Sequence, residues 1–224
     1  VTLVVEPHVL PRMDFSLGIP PDCRTLVAVP TMLTNPGTVA ALIEALEVRF
    51  LANRDDNLHF ALLTDFRDAD AEVQPDDESL LLLARDGIEE LNARYKPDNG
   101  ASFFLFHRPR RWNPQERLWL GYERKRGKLG DLNEFLRGGL LDAFSLIVGE
   151  TAKLTNVKYV ITLDTDTQLP RDAARQLVGA MAHPLNRARF CDAVERVCEG
   201  YGILQPRVGA CLPSTTQSRY ARLF

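Results

Sequence analysis

The sequence predicts an α/β domain with a mainly parallel sheet sandwiched by helices. Short apolar runs recur along the chain, and most are followed by apolar residues at helical spacing. Strands that alternate with helices pair in parallel and are covered on both faces. The 224 residues are 45% hydrophobic, enough for one large domain with its own core.

The elements follow in order. RTLVAVP, Arg24 to Pro30, reads as the first strand, and TVAALIEALEVRF as a helix with Pro36 near its start. LHFALLT, Leu58 to Thr64, is a second strand. An acidic loop, DFRDADAEVQPDD, leads to a helix from Glu78 to Tyr95 with Asp76 and Asp77 near its positive end. SFFLFH, Ser102 to His107, is a third strand. Arg108 to Gly130 reads as a long basic loop, and helical spacing resumes from Asp131 to about Arg137. A further apolar run reaches Val148, a strand starts at Tyr159, and a helix runs from Arg171 to Ala182. A short apolar run, GILQP, follows Gly202, and RARFCDAVERVCEGYG before it shows no clear period.

Bulk properties narrow the function classes. The net charge is -3, with 27 basic against 30 acidic residues, which argues against general affinity for nucleic acid. No apolar run approaches the roughly 20 residues that span a bilayer. VTLVVEPHV lacks the basic start and apolar core of a signal peptide, and the chain has no initiator Met. It reads as a piece of something longer, with residues 1–22 a leader or linker and 23–224 the domain. Cys23, Cys191, Cys198 and Cys211 form no CxxC pair and are expected as reduced thiols. His8, His59, His107 and His183 are scattered singly, and none is assigned a catalytic role.

YVITLDTDTQLP, Tyr159 to Pro170, carries the chemistry. An apolar strand ends on Asp164 and Asp166, where a doubly wound sheet puts its binding crevice. Once the strand ends, the backbone can turn both carboxylates toward one point. Mg²⁺ and Mn²⁺ favour such hard oxygens, and Mg²⁺ takes one or two carboxylates while phosphates supply other ligands. The bland alternative is a solvated turn in which one aspartate caps the next helix. Asp65 also follows an apolar strand, so its carboxylate is expected to open onto the same edge, and Thr31 follows the first strand. In RKRGKLGDLNEF, Gly127 and Gly130 flank Lys128; glycines admit close approach, and a helix start there would offer amides to a phosphate. A solvated charge run is the plain alternative.

Two metal–diphosphate chemistries fit DTDT. One is a haloacid-dehalogenase-type phosphatase with Asp164 as nucleophile, although Gln168 stands where that pattern has Thr or Val. The other is sugar transfer from a nucleotide sugar. A third reading is a module in which Trp112, Trp119 and Tyr122, among Arg and Lys, bind nucleic acid or an anionic membrane.

VAVPTML, LLTDFRDA, RKRGKLGDLNEFLRGG, YVITLDTDTQLPRDAARQLVGAMAHPLN and GYGILQPRVG together resemble the glycosyltransferase region of cyclic β-1,2-glucan synthases. More loosely the plan is similar to cellulose synthases and to bacterial osmoregulated glucan glucosyltransferases. The resemblance spans Arg24 to Phe224 and implies a GT-A fold and UDP-glucose as donor. It also implies Mg²⁺ or Mn²⁺, and inverting transfer to a glucan acceptor. Its setting would be a large inner-membrane parent with the active domain on the cytoplasmic face. By resemblance, Asp166 is a metal ligand and Asp164 lies near it, beside the ribose or donor sugar. Asp65 contacts the nucleoside, Thr31 lines the same pocket, and Lys128 lies near the uracil or diphosphate. The resemblance places the general base beyond Phe224; Glu195 and Glu199 do not match its motif. A GT-A sheet cut short there would expose apolar surface and favour self-association.

Overall fold

In the computed structural model, residues 9–95, 102–139 and 141–206 are described. Arg12–Ala182 forms one compact unit; the described residues up to Pro11 and from His183 onward form a second.

The larger unit begins with β1 (Thr25–Leu33), α1 (Pro36–Ala52), β2 (Leu58–Phe66), α2 (Asp77–Arg94) and β3 (Phe103–His107). A hairpin of β4 (Arg111–Asn113) and β5 (Leu118–Leu120) follows, then α3 (Arg124–Leu136), β6 (Leu146–Val148), β7 (Tyr159–Thr162) and α4 (Ala173–Ala182). The main sheet has the order β6-β3-β2-β1-β7. β7, β1, β2 and β3 are parallel, and β6 is an antiparallel edge. The expected α/β class with a mostly parallel, helix-flanked sheet is what the chain forms.

The strands alternate strictly between two cores, as a pleat of period two requires. Val27, Val29, Phe60, Leu62, Phe103 and Leu105 pack against α1, α2 and α4. Leu26, Ala28, Ala61, Leu63, Phe104 and Phe106 face Leu132 of α3, Phe144 and Leu154. Burying such a side chain contributes about 1.5–3 kcal/mol each, which is why continuous apolar runs settle at the sheet centre. α1 is started by Asn35, whose side chain accepts from Thr38 N at 2.9 Å, with Pro36 at the first helical position.

Two boundaries differ from the sequence expectation in ways that shape the crevice. β1 runs three residues past Pro30, and β2 two past Thr64, so Thr31 and Asp65 are strand residues. Pro30 is tolerated because its side of β1 is open at that level. Ala28 O accepts from Leu163 N, and β7 is paired no further than Ala28. The basic segment from Arg108 is not one loop: it holds the β4–β5 hairpin, and α3 begins at Arg124 rather than Asp131. Part of the expected leader is also docked, Met13 N donating to Gly179 O at 2.9 Å.

In the second unit, the segment without a clear period forms an antiparallel hairpin of β8 (Arg189–Cys191) and β9 (Arg196–Glu199). GILQP forms no strand as far as Pro206, and Cys211 and His8 lie outside the described residues. Cys191 and Cys198 carry free thiols.

Candidate functional site

Two clusters stand at the carboxyl side of the sheet, both within Arg12–Ala182. The first is built on β1 and β2. Met32 is the register partner of Asp65, so Thr31 and Asp65 come from adjacent positions of neighbouring strands. Asp65 does not open onto the crevice as expected; it is 3% exposed. Arg108 grips it with a two-pronged contact, Nε to Oδ1 at 2.9 Å and Nη2 to Oδ2 at 3.0 Å. Lys128 Nζ lies 3.0 Å from Oδ2 and also donates to the carbonyl of Thr31. Arg108 completes its set with Asp131 Oδ2 at 2.7 Å and the carbonyls of Tyr122 at 3.0 Å and Arg124 at 3.2 Å. A buried carboxylate needs such pairing, and here two cations supply it.

The electrostatics follow. Burial pulls the Lys128 ammonium below its ordinary pKa, against the opposing pull of Asp65. Burial would lower Arg108 as well, but its bonds to Asp65 and Asp131 prevail and raise it.

The expected phosphate cradle is corrected here. Gly127, Lys128 and Gly130 lie inside α3, so their amides belong to the helix and not to a free helix start. Gly127 serves packing instead, as does Gly121 ahead of the helix, whereas Gly130 faces open space. A Cβ on Gly127 would stand 2.1 Å from Tyr122 O, and one on Gly121 2.2 Å from Asp65 Oδ2. The membrane or nucleic-acid reading of the basic segment loses charges for the same reason. Arg108 and Arg110 are 4% and 5% exposed, and Arg110 is spent on Asp77 and on the carbonyl of Arg67 at 2.6 Å. Trp112 and Trp119 pack on each other across the hairpin, with centroids 5.9 Å apart.

The second cluster follows β7. Asp164 and Asp166 are both exposed. Asp164 Oδ1 accepts from Lys125 Nζ, in the first turn of α3. The chain enters that helix through left-handed backbone at Glu123 and Arg124, with φ of 49° and 47°. Side-chain-bearing residues hold such angles at a cost of order 1–3 kcal/mol, and they concentrate at functional sites. Lys125 is a residue that sequence reasoning passed over in favour of Lys128. The signal was the same RKRGK run, but only the true start of α3 shows which lysine reaches the aspartates.

The donor chemistry of this cluster suits a hard divalent cation. Among the described residues, no three His, Cys, Asp or Glu side chains gather where they could hold a metal by themselves. A cation that takes most of its ligands from phosphate oxygens and water asks a protein for only one or two carboxylates, and Asp164 and Asp166 are the exposed carboxylates here that could supply them. Thr31, Asp65 and Lys128 therefore form one group, and Asp164 joins Lys125 in another; no direct contact links Asp166 to the first group.

No family model matches the chain. All 224 residues align at 42% identity with a segment of the cyclic beta-(1,2)-glucan synthase NdvB of Rhizobium meliloti (strain 1021). The chain spans 8% of that protein's length. No helix among the described residues is long and apolar enough to cross a membrane.

Proposed function

We propose that this chain, homologous over its whole length to a segment of a cyclic β-(1,2)-glucan synthase, is the donor-binding part of a GT-A glucosyltransferase that takes UDP-glucose with Mg²⁺ or Mn²⁺. The observation that carries the reading is the exposed Asp164–Asp166 pair held at the end of β7 beside the basic start of α3.

Asp166 and Asp164 are the residues we assign to the cation, which when bound would balance charge on the departing diphosphate. Lys125 is placed to meet the same diphosphate from α3 once Asp164 is otherwise engaged. Thr31 lines the nucleoside end. Behind it, Asp65 and Lys128 hold the wall of the pocket through the Thr31 carbonyl and Arg108. Inverting transfer to a glucan acceptor also needs a base within hydrogen-bond reach of the acceptor hydroxyl. We assign that base, with the acceptor site, to a larger inner-membrane parent whose active domain faces the cytoplasm.

Calorimetric titration of UDP-glucose, once with Mn²⁺ and once with EDTA, tests the reading. Binding that requires Mn²⁺, and its loss in Asp166→Asn, are the expected results. Mn²⁺-independent binding, or unchanged affinity in Asp166→Asn, removes the metal assignment. Hydrolysis of a generic phosphate ester with Mg²⁺ would favour phosphatase chemistry instead.

A further inference from the structure

Arg49 lies in the last turn of α1, far in sequence from the aspartates, and nothing in EVRFLA marks it as more than a surface cation. In the fold it is 4% exposed. Its partners are main-chain carbonyls rather than a carboxylate, and all belong to the segment that carries the aspartates. Nη2 donates to Thr165 O at 2.8 Å, to Thr167 O at 2.8 Å and to Asp164 O at 3.4 Å; Nε donates to Thr167 O at 3.1 Å.

The same end of α1 holds the rest of the segment. Asn53, one helical turn on, donates to Leu169 O at 3.1 Å and accepts from Ala174 N at 3.0 Å. Asp172 N donates to Ala52 O at 3.1 Å. Between them, Arg49 and Asn53 satisfy carbonyls that a connection between strand and helix ordinarily leaves to water. Burial of a guanidinium without a carboxylate partner is unfavourable, and burial does lower the Arg49 pKa, with the charge of Asp166 acting in opposition. A group held at that cost serves a purpose that a solvated turn would not require.

We propose that Arg49 is a positioning residue for the Asp164–Asp166 pair, fixing the backbone of Asp164–Thr167 so that both carboxylates are presented together before any ligand arrives. The inference rests on the reading of that pair as the cation and diphosphate end of the site. A planar fork reaching several carbonyls is a task for arginine; a lysine ammonium keeps the charge but cannot span the same set.

The test compares wild type with Arg49→Lys, using Asp166→Asn as the control that loses the cation without losing the fork. Amide hydrogen exchange is followed without metal, and Mn²⁺-dependent UDP affinity is measured beside it. The expected result is at least tenfold faster exchange across residues 163–170 with exchange in β2 unchanged. Mn²⁺-dependent UDP affinity falls at least tenfold. Unchanged exchange in that segment overturns the proposal, as does faster exchange with intact Mn²⁺-dependent affinity. Wild type that fails to bind Mn²⁺ and UDP at all overturns the donor-site reading and, with it, the positioning role, whereas binding in wild type with an indifferent Arg49→Lys overturns the role alone. If Arg49→Lys does not fold, the Arg49 Nε–H resonance of wild type decides: it shifts on adding Mg²⁺ and UDP if Arg49 supports the site, and a stationary resonance overturns the proposal.

Discussion

Lys125 Nζ donates to Oδ1 of Asp164, 39 residues further along the chain, and thereby sets a positive charge beside one of the two carboxylates that end β7. Both side chains are largely open to water, at 51% and 61% exposure. The pair is thus easily exchanged for a stronger counter-charge.

Replacing Lys125 by alanine should act in opposite directions on two ligands. An exposed ion pair contributes up to about 1 kcal/mol, so Mn²⁺ affinity of the nucleotide-free protein should rise by up to about fivefold. UDP affinity at saturating Mn²⁺ should fall, because a cation beside the diphosphate is lost. Electron paramagnetic resonance of free Mn²⁺, with calorimetry for UDP, reads both. A fall in Mn²⁺ affinity would show that Lys125 supports the carboxylates instead of competing for them.

Arg108→Met should destabilise the protein by about 3–5 kcal/mol, because it removes the main partner of a buried carboxylate. Urea unfolding measures the loss. Asp65 keeps Lys128 at 3.0 Å, so the double variant Asp65→Asn, Arg108→Met should lose less than the two single losses added together. Strict additivity would mean that the two side chains do not work as a unit.

The glycines of α3 should respond with opposite signs to the same substitution. Alanine in a helix interior is favoured over glycine by about 1 kcal/mol. Gly130 is exposed, and a methyl group added to it would meet nothing within 4 Å, so Gly130→Ala should stabilise by roughly that amount. Gly127→Ala should destabilise, since its Cβ meets Tyr122 O at 2.1 Å and Arg108 Nη1 at 2.8 Å. Thermal unfolding of the two variants side by side settles the pair.

Acid should weaken the fold through two buried histidines. Burial lowers His59 and His107 from 6.5 to about 4. His59 Nδ1 accepts from Ser102 N at 3.3 Å, and His107 Nδ1 meets Thr64 Oγ1 at 2.8 Å. Their folded pKa values are depressed, so the unfolded chain binds more protons between pH 6.5 and about 4. The stability they allow is fully present above pH 6.5 and is lost as pH falls through that window, by at most about 3 kcal/mol per histidine. Urea midpoints at several pH values should show this slope, and His107→Gln should reduce it; an unaltered slope in that variant would count against the assignment.

Much of the sheet was legible because its strands are buried on both faces and so read as unbroken apolar runs. LHFALLT and SFFLFH announce β2 and β3 in this way. The sequence also brought Asp164 and Asp166 to the end of a strand, where the fold has them. What it concealed has physical causes. Pro30 looks like a strand end, yet β1 passes through it because no neighbour requires an N–H there. The start of α3 is hidden by two glycines and a run of cations that blur helical periodicity, and this is why Lys125, which reaches Asp164, was passed over. Asp65 carries no local sign that it would be enclosed, since Arg108 arrives from 43 residues away. Arg49 was invisible for a similar reason: its partners lie more than 110 residues downstream and are peptide carbonyls, which every sequence possesses.

Arg49 grips only peptide carbonyls, and this makes the tip after β7 modular. The hydrogen bonds of the grip reach only main-chain atoms at 164, 165 and 167. The shape of the turn and the chemistry it displays are thus separately adjustable, as long as a negative charge stays at 166 to offset the burial of Arg49. A protein engineer could exchange the ligand atoms, for instance a histidine at Thr165 to favour softer cations, while the mount beneath them stays the same. Over evolutionary time the same separation would let a lineage alter what the tip holds without rebuilding the fold around it.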